Sequence, residues 1–190
     1  MNKELFKLRD LKTDDVKKYI DFLSDPEVTI WLEDEVQNIE SYANIENYLI
    51  YGYYRQAIEH DGNFIGVSGL DLTNDKKKVA RFFIVIGKKE LWGKGIGLGV
   101  IKSIVKYGFH ELKLRKINSD FLIPNEGVKI IHEKAGFKHE GFLRKDSFRN
   151  NNWIDREIVS IFTDELIKIE VLIINMIRFN IFRFKTKWIA

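Results

Sequence analysis

The apolar positions in the first 50 residues predict one short strand followed by two helices. Residues 5–11 favour the strand, and Thr13 is the predicted N-cap of the first helix because a hydroxyl there can accept a first-turn N–H bond. A second helix is predicted between Ile39 and Leu49. The first helix presents one apolar face, formed by Val16, Tyr19, Ile20 and Leu23.

Farther along, alternating apolar runs separated by turn residues indicate strands. The turn sequence Asp61-Gly62-Asn63 predicts a hairpin between two such runs. The predicted strands span 53–59, 64–72, 79–86, 116–123, 137–148 and 153–162, and the predicted helices span 98–112 and 125–135. Hairpins around a single β-α-β unit indicate an α/β (α+β) fold, with a mixed, mostly antiparallel sheet and helices on both faces.

The segment that carries the most chemical information is the glycine-rich stretch Leu91–Gly99, between a predicted strand and a predicted helix. Glycine lets backbone N–H groups converge on an anion, and the helix N-terminus adds a positive dipole end. A Walker A loop is excluded because Gly95 follows Gly93-Lys94. The dinucleotide pattern is excluded by Leu98 and Val100. The stretch therefore predicts a phosphate or pyrophosphate site, with a tight turn between packed elements as the alternative.

Composition narrows the possible classes of protein. The 190 residues suit one domain, and a net charge of +3 gives no reason to expect a nucleic-acid partner. The chain has no cysteine, which excludes disulfides, zinc–thiolate sites and a cysteine nucleophile, and no metal site is expected. Residues 1–15 are charged, and no apolar window reaches the roughly 18 residues of a membrane span. A cytoplasmic protein without a transmembrane segment is expected.

Four motifs in order resemble those of the GNAT acetyltransferase superfamily. Trp92–Gly97 is similar to its pyrophosphate-binding motif, [Q/R]-x-x-G-x-[G/A], and Asn125–Phe137 to N-x-x-[SA]-x-x-[LI]-Y-E-K-x-G-F. His139–Arg144 resembles the following E-G-x-L-R, and Asp25–Val28 the D-P-E-V after the first helix. Tryptophan at the start of the glycine motif is common in the subgroup that resembles ribosomal-protein N-terminal and spermidine acetyltransferases. The resemblance covers roughly residues 5–163.

The resemblance implies a GNAT fold over residues 1–165, with acetyl-CoA as co-substrate and 166–190 as a C-terminal extension. Acetyl-CoA is expected in a V-shaped splay between the strands at 79–86 and 116–123. The pantetheine arm is expected to pair with the first of these strands and the pyrophosphate to sit on the glycine loop. The expected cofactor-binding residues are Ile84, Val85, Ile86, Trp92, Gly93, Lys94, Gly95, Ile96, Gly97 and Asn125.

The resemblance also implies direct attack of an amine on the thioester in a ternary complex, with backbone N–H groups stabilising the oxyanion by about 3 kcal/mol per donor. His132 stands where the family carries the tyrosine that protonates the CoA thiolate, so it is the expected catalytic acid, roughly a quarter protonated at neutral pH. An exposed or capping helix histidine is the alternative. Arg81 stands where many relatives place a glutamate, and arginine cannot act as a base. The general base is therefore unassigned, and the candidates are water or a carboxylate elsewhere in the chain.

The acceptor is the least determined part of the prediction. Glu33 and Glu35, beside Trp31, are candidates to hold a cationic amine, although a short acidic run is also typical of a solvated loop. Arg81 instead favours an anionic acceptor such as a nucleotide-linked amino sugar. The expected acceptors are a small amine or amino sugar, a polyamine, or a protein N-terminus.

Two other classes of function remain open at this stage. The alternative to an enzyme of this fold is a non-catalytic acyl-CoA-binding or sensing domain, and a third class is an interaction protein built around the apolar tail. Residues 166–190 combine apolar and basic side chains, which fits a helix packed on the domain or on a partner subunit, a membrane-surface segment, or poor order. A homodimer is one arrangement that the sequence allows.

Overall fold

A computed structural model describes residues 4–32 and 42–169, which form a seven-stranded sheet with helices on both faces. The helices are α1 (Thr13–Leu23), α2 (Pro26–Thr29), α3 (Tyr42–Ile50), α4 (Ile96–His110) and α5 (Glu126–Ala135), and residues 163–169 are also helical. The strands are β1 (Lys7–Arg9), β2 (Tyr54–His60), β3 (Asn63–Asn74), β4 (Val79–Ile86), β5 (Lys116–Leu122), β6 (Lys138–Arg149) and β7 (Asn152–Phe162).

The strand order is β1-β2-β3-β4-β5-β7-β6, and β4–β5 is the parallel pair among the antiparallel neighbours of the described sheet. Pairing between β4 and β5 covers three residue pairs and stops at Arg81 opposite Asn118. From Phe82 and Ser119 onward the two strands part. This geometry confirms the mixed, mostly antiparallel sheet with a splay between its two central strands.

Successive side chains of β4 point to opposite faces of the sheet, and the hydrophobic core accordingly forms two layers. Phe82 faces α4 and α5 and packs with Ile104 of α4, whereas Val85 packs with Val16 of α1 and Leu49 of α3 on the opposite face. Each fully buried side chain of this size contributes about 1.5–3 kcal/mol. The two layers hold the splayed edge of β4 in place from both sides.

The predicted starts of the first helix and of the helix after the glycine loop are wrong by one and two residues. Helix α1 begins at Thr13, so its N-cap is Lys12, whose N–H donates to the Asp15 carboxylate at 2.9 Å. Asp15 also accepts from Arg9 at 2.6 Å, so its carboxylate is held in the first turn of the helix, where the helix dipole favours negative charge. Helix α4 begins at Ile96 rather than Leu98, because Gly95 already serves as its N-cap.

The remaining boundaries agree closely with prediction, within the described ranges. The helix predicted from Ile39 is observed from Tyr42, and residues 33–41, including Glu33 and Glu35, lie outside the described part of the chain. Of the extension at 166–190, only residues 166–169 are described, so its role and the domain boundary at 165 stay predictions. Within residues 4–32 and 42–169, no helix has the length and apolar character needed to cross a membrane.

Candidate active site

The glycine loop has the backbone geometry of an anion cradle. Gly93 and Gly95 adopt φ values of +73° and +86°, a region that side-chain-bearing residues rarely enter. Gly95 leads directly into α4, a helix of 15 residues whose first-turn N–H groups have no acceptors within the helix. Both glycines and Lys94 are exposed, so the loop and the helix dipole are open to an anionic ligand.

Trp92 fixes the loop to the end of β4. Its indole N–H donates to the Ile86 carbonyl at 2.8 Å, while 45% of the residue stays exposed. The sequence placed Trp92 in the loop but did not predict this bond. The bond occupies the Ile86 carbonyl and leaves nearly half of the tryptophan accessible to solvent.

The backbone of β4 offers alternate residues to the gap between β4 and β5. The Phe82 carbonyl accepts from Ser119 of β5, whereas the N–H of Gly87 donates to Ile65 of β3, so even-numbered residues face the gap. The N–H groups of Ile84 and Ile86 therefore point into the opening. Val85 differs from the prediction, because its carbonyl lies against Gly66 of β3 and its backbone groups belong to that ladder.

His132 lies inside the core rather than on the helix surface. The residue is 2% exposed, and its ring contacts those of Phe82, Phe121 and Phe137. This placement contradicts the alternative of an exposed or capping histidine. The apolar period of α5 puts position 132 on the buried face of the helix. The imidazole is shorter than the tyrosine that the family carries at this position, and it does not extend out of the core.

Both ring nitrogens of His132 have partners. Nδ1 lies 2.8 Å from the Val128 carbonyl, and Nε2 lies 2.8 Å from Oγ of Ser119. A carbonyl oxygen only accepts, so Nδ1 carries the proton and Nε2 of the neutral ring is an acceptor. Ser119 is buried, with 3% of the residue exposed, and its single hydroxyl proton can be donated either to Nε2 or to the Phe82 carbonyl.

Burial lowers the pKa of His132 from 6.5 to about 4, against the opposing effects of the Val128 hydrogen bond and the carboxylates of Asp120 and Glu157. The imidazole is therefore neutral at pH 7. The expectation that about a quarter of it is protonated there is wrong, because that value assumed a solvated ring. His132 therefore does not hold a proton at pH 7 that it could donate as a resting acid.

Arg81 is the first member of an ion-pair ladder across four strands. Its guanidinium donates to Asp120 of β5 through Nε at 2.7 Å and Nη2 at 3.0 Å. Asp120 also accepts from Arg156 of β7 at 2.5 Å, and Arg156 donates to Asp146 of β6 at 2.5 Å. The charge of Arg81 is thus offset locally, which removes it as an argument for an anionic acceptor.

A second arginine, Arg149, joins β6 to the segment after α2. Its buried guanidinium donates to the carbonyls of Ile30 at 2.9 Å and Leu32 at 2.8 Å. This contact places the chain directly before Glu33 against the β6 end of the sheet. The sequence did not predict it, because it joins positions more than 100 residues apart.

Asn125 has a structural role that its motif also explains. The residue is the N-cap of α5, where its side-chain oxygen accepts from the Val128 N–H at 3.3 Å. At the other end of the helix, Gly136 closes α5 with φ +94°. A contact between Asn125 and a cofactor stays a prediction.

Residues 6–138 match the family model described as an acetyltransferase (GNAT) domain. The chain belongs to the GNAT acetyltransferase family. This GNAT chain is 41% identical over 69 residues to the probable N-acetyltransferase YjcK of Bacillus subtilis, an alignment that covers 36% of this chain and 38% of the relative. It is 34% identical over 101 residues to the spermidine N(1)-acetyltransferase of Escherichia coli K12, covering 52% of this chain and 53% of that one. The chain thus spans about half or less of the length of these two curated relatives.

The GNAT fold is also seen in a solved neighbour. The spermidine N-acetyltransferase of Vibrio cholerae, in complex with CoA and spermine, superposes with a TM-score of 0.75 at 25% identity. The superposition covers 85% of this chain and 98% of the neighbour. The described sheet and helices therefore have the overall fold of this neighbour.

Proposed function

We propose that this GNAT chain is an acetyl-CoA-dependent N-acetyltransferase that transfers the acetyl group to a primary amine. The observation that carries the proposal is the exposed glycine loop at the start of α4, next to the unpaired edge of β4. A loop of N–H groups and a free strand edge, side by side, suit a ligand that has a pyrophosphate at one end and an amide-containing arm at the other.

In this arrangement, the N–H groups of Gly93–Gly97 hold the pyrophosphate, and those of Ile84 and Ile86 pair with the pantetheine arm as an added strand. Acetyl-CoA supplies an activated thioester when it is bound. An arm that runs along β4 from the loop ends near Phe82 and Ser119, where β4 and β5 come together. The reacting carbon therefore lies at the closed end of the splay.

The acceptor amine attacks the thioester carbonyl directly, in a ternary complex. The chain contains no cysteine, so an acyl-cysteine intermediate is excluded. Backbone N–H groups that face the gap stabilise the oxyanion, an effect of about 3 kcal/mol per donor in other enzymes. Arg81 cannot serve as a base, and Asp120 is held between two guanidinium groups.

We place polyamines first among the acceptors. The relatives include spermidine N(1)-acetyltransferases, and the Arg81–Asp120 pair removes the main reason to expect an anionic acceptor. Arg149 fixes the chain just ahead of the acidic residues Glu33 and Glu35, which then supply carboxylates for a cationic amine. Small amines, amino sugars and protein N-termini are the further candidates, the last because of a 29% match over 94 residues to the putative ribosomal N-acetyltransferase YdaF of Bacillus subtilis.

Other parts of the proposal concern setting and assembly. The cysteine-free composition fits a reducing cytoplasm. Residues 166–190 are proposed to pack on the domain or in a homodimer. Size-exclusion chromatography with light scattering, with and without residues 170–190, tests this arrangement.

The function is tested by following CoA release from acetyl-CoA with spermidine, spermine, amino-sugar nucleotides and N-terminal peptides. Turnover with a polyamine is the expected result, with the acetylated product identified by mass spectrometry. Calorimetric binding of CoA without turnover of any amine would instead establish the non-catalytic CoA-binding domain. Absence of CoA binding would contradict the cofactor assignment itself.

A further inference from the structure

The closed end of the splay contains a polar pair that the proposed function does not use. Ser119 and Phe82 are the first residues beyond the β4–β5 register. The Ser119 hydroxyl lies 3.3 Å from the Phe82 carbonyl on one side and 2.8 Å from Nε2 of His132 on the other. Ser119 therefore lies at the closed end of the gap, and His132 lies behind it in the core.

A count of protons shows that this hydrogen-bond chain has room for one more. When His132 is neutral, the single hydroxyl proton of Ser119 can be donated to only one of two acceptors, Nε2 of His132 or the Phe82 carbonyl. When Nε2 is protonated, His132 donates to Ser119, and Ser119 donates to Phe82. Nδ1 donates to Val128 in both states. Every group then has a partner, so an added proton disturbs no bond.

The surroundings of His132 favour a proton that stays only briefly. Aromatic rings from β4, β5 and the segment after α5 surround the imidazole, and the charged groups that act on it are Asp120 of β5 and Glu157 of β7. Burial opposes the charged ring, whereas the Val128 hydrogen bond and these carboxylates support it. Such a group accepts a proton transiently and returns it readily.

We propose that Ser119 and His132 relay a proton from the acceptor amine to the departing CoA sulfur. The inference rests on the proposed acetyl transfer, and it supplies the base that Arg81 cannot be. It also gives His132 a role that its neutral state allows, as a proton acceptor that acts through Ser119.

The steps balance in atoms and charge. The amine nitrogen bonds to the thioester carbon, and the resulting ammonium gives a proton to Oγ of Ser119 while the hydroxyl proton moves to Nε2 of His132. The carbon–sulfur bond then breaks, and the proton returns through Ser119 to the thiolate. The products are the acetylated amine, CoA thiol and a neutral His132. A thiol has an ordinary pKa near 8.5, so transfer from the imidazolium to the thiolate is favourable.

The experiment compares Ser119→Ala, His132→Gln and the double variant with the wild-type protein. Each single change is expected to lower kcat by at least about 30-fold, and the double variant should be no worse than about threefold below either, because the two residues act as one unit. CoA affinity by calorimetry should change by less than about twofold. Ser119→Thr keeps a hydroxyl and should restore most of the rate. The acidic limb of the kcat profile should disappear in His132→Gln.

Ser68→Ala is the matched control. Ser68 is also a fully buried strand serine, and it donates to a β4 carbonyl, that of Phe83, at 2.7 Å, but it lies on β3 away from His132. The change should lower thermal stability about as much as Ser119→Ala while kcat stays within about threefold of the wild type. Circular dichroism and CoA binding verify that each variant is folded.

Three results would overturn the relay. The first is a kcat within about threefold of the wild type in the folded single variants, and the second is a double variant whose loss equals the product of the single losses. The third is acetylated Ser119 after incubation with acetyl-CoA alone, since that shows a nucleophile. Failure of the wild-type protein to acetylate any amine contradicts the proposed function, and the relay with it, whereas wild-type turnover with unaffected variants overturns the relay alone.

Discussion

At the scale of single residues, the buried imidazole of His132 makes the folded state sensitive to acid. Its pKa is about 4 in the folded protein against 6.5 for a solvated ring, so the unfolded chain binds the proton more readily. The contribution of His132 to the free energy of unfolding is therefore complete above about pH 6.5 and is lost as the pH falls toward 4. The difference amounts to about 3 kcal/mol.

Urea denaturation at pH 7 and pH 4.5, for the wild type and His132→Gln, measures this effect. Carboxylates with lowered pKa, such as Asp15, add an acid loss of the same sign, and both proteins share it. The wild type should therefore lose more stability than His132→Gln over this interval. An equal loss in the two proteins would show that the imidazole is already solvated or charged in the folded state.

The glycine loop provides a second prediction at this scale. Gly95→Asp puts a negative charge where the pyrophosphate is proposed, so CoA affinity should fall at least tenfold, about 1.4 kcal/mol. Gly62→Asp is the matched control, because Gly62 has a similar φ of +77° in the β2–β3 hairpin and nothing near its Cβ position. Calorimetry with CoA should separate the two variants although both carry the same backbone cost. Equal affinities would remove the loop from the binding site.

At the scale of elements, Arg149 is the link between β6 and the chain that follows α2. Arg149→Met should lower the free energy of unfolding by about 1.5–3 kcal/mol, because the carbonyls of Ile30 and Leu32 lose a charged donor. It should also raise KM for the acceptor while CoA affinity stays unchanged. Arg144→Met, on an exposed position of the same strand, is the control for both measurements.

Denaturant titration and steady-state kinetics on the same preparations test this link. A stability loss without any change in acceptor KM would show that the 30–32 segment supports the fold but not the acceptor site. Equal behaviour of the two arginine variants would show that the contact of Arg149 with Ile30 and Leu32 contributes nothing measurable.

At the scale of the whole molecule, the charges of Glu33, Glu35 and Arg81 are expected to determine which class of amine binds. With a polyamine acceptor, Glu33→Gln combined with Glu35→Gln should raise KM at least about fivefold with a smaller change in kcat. Arg81→Ala should change KM by less than about twofold, since Asp120 already pairs with that guanidinium. With an anionic sugar nucleotide, the two outcomes should exchange. If neither change alters KM for any acceptor, both segments lie outside the acceptor site.

Much of the fold follows from local patterns, and for physical reasons. Strand β4 was predicted at its observed bounds, Val79–Ile86, because a polar turn precedes its apolar run and a glycine follows it. Helix α5 begins after an asparagine cap and ends at Gly136, two signals that act within one turn of the helix. The glycine loop was recognisable because its composition requires an unusual backbone.

The parts that could not be predicted depend on register between distant strands. The partner of Arg81 is Asp120, 39 residues away, and no local pattern sets which carboxylate faces it. The burial of His132 and its bond to Ser119 depend on how closely α5 packs on β5. Val85 was placed in the cofactor site because the strand was recognised, but the direction of its backbone groups depends on the pairing of β3 with β4.

The short β4–β5 ladder also determines how the molecule is held together mechanically. Three residue pairs join β4 to β5, whereas eight join β3 to β4 and seven join β5 to β7. The sheet is therefore two well-paired halves that share a narrow seam, braced by α4. A ligand bound along the open part of that seam would connect the two halves. The enzyme would therefore be most rigid while its co-substrate is bound and more flexible after CoA leaves.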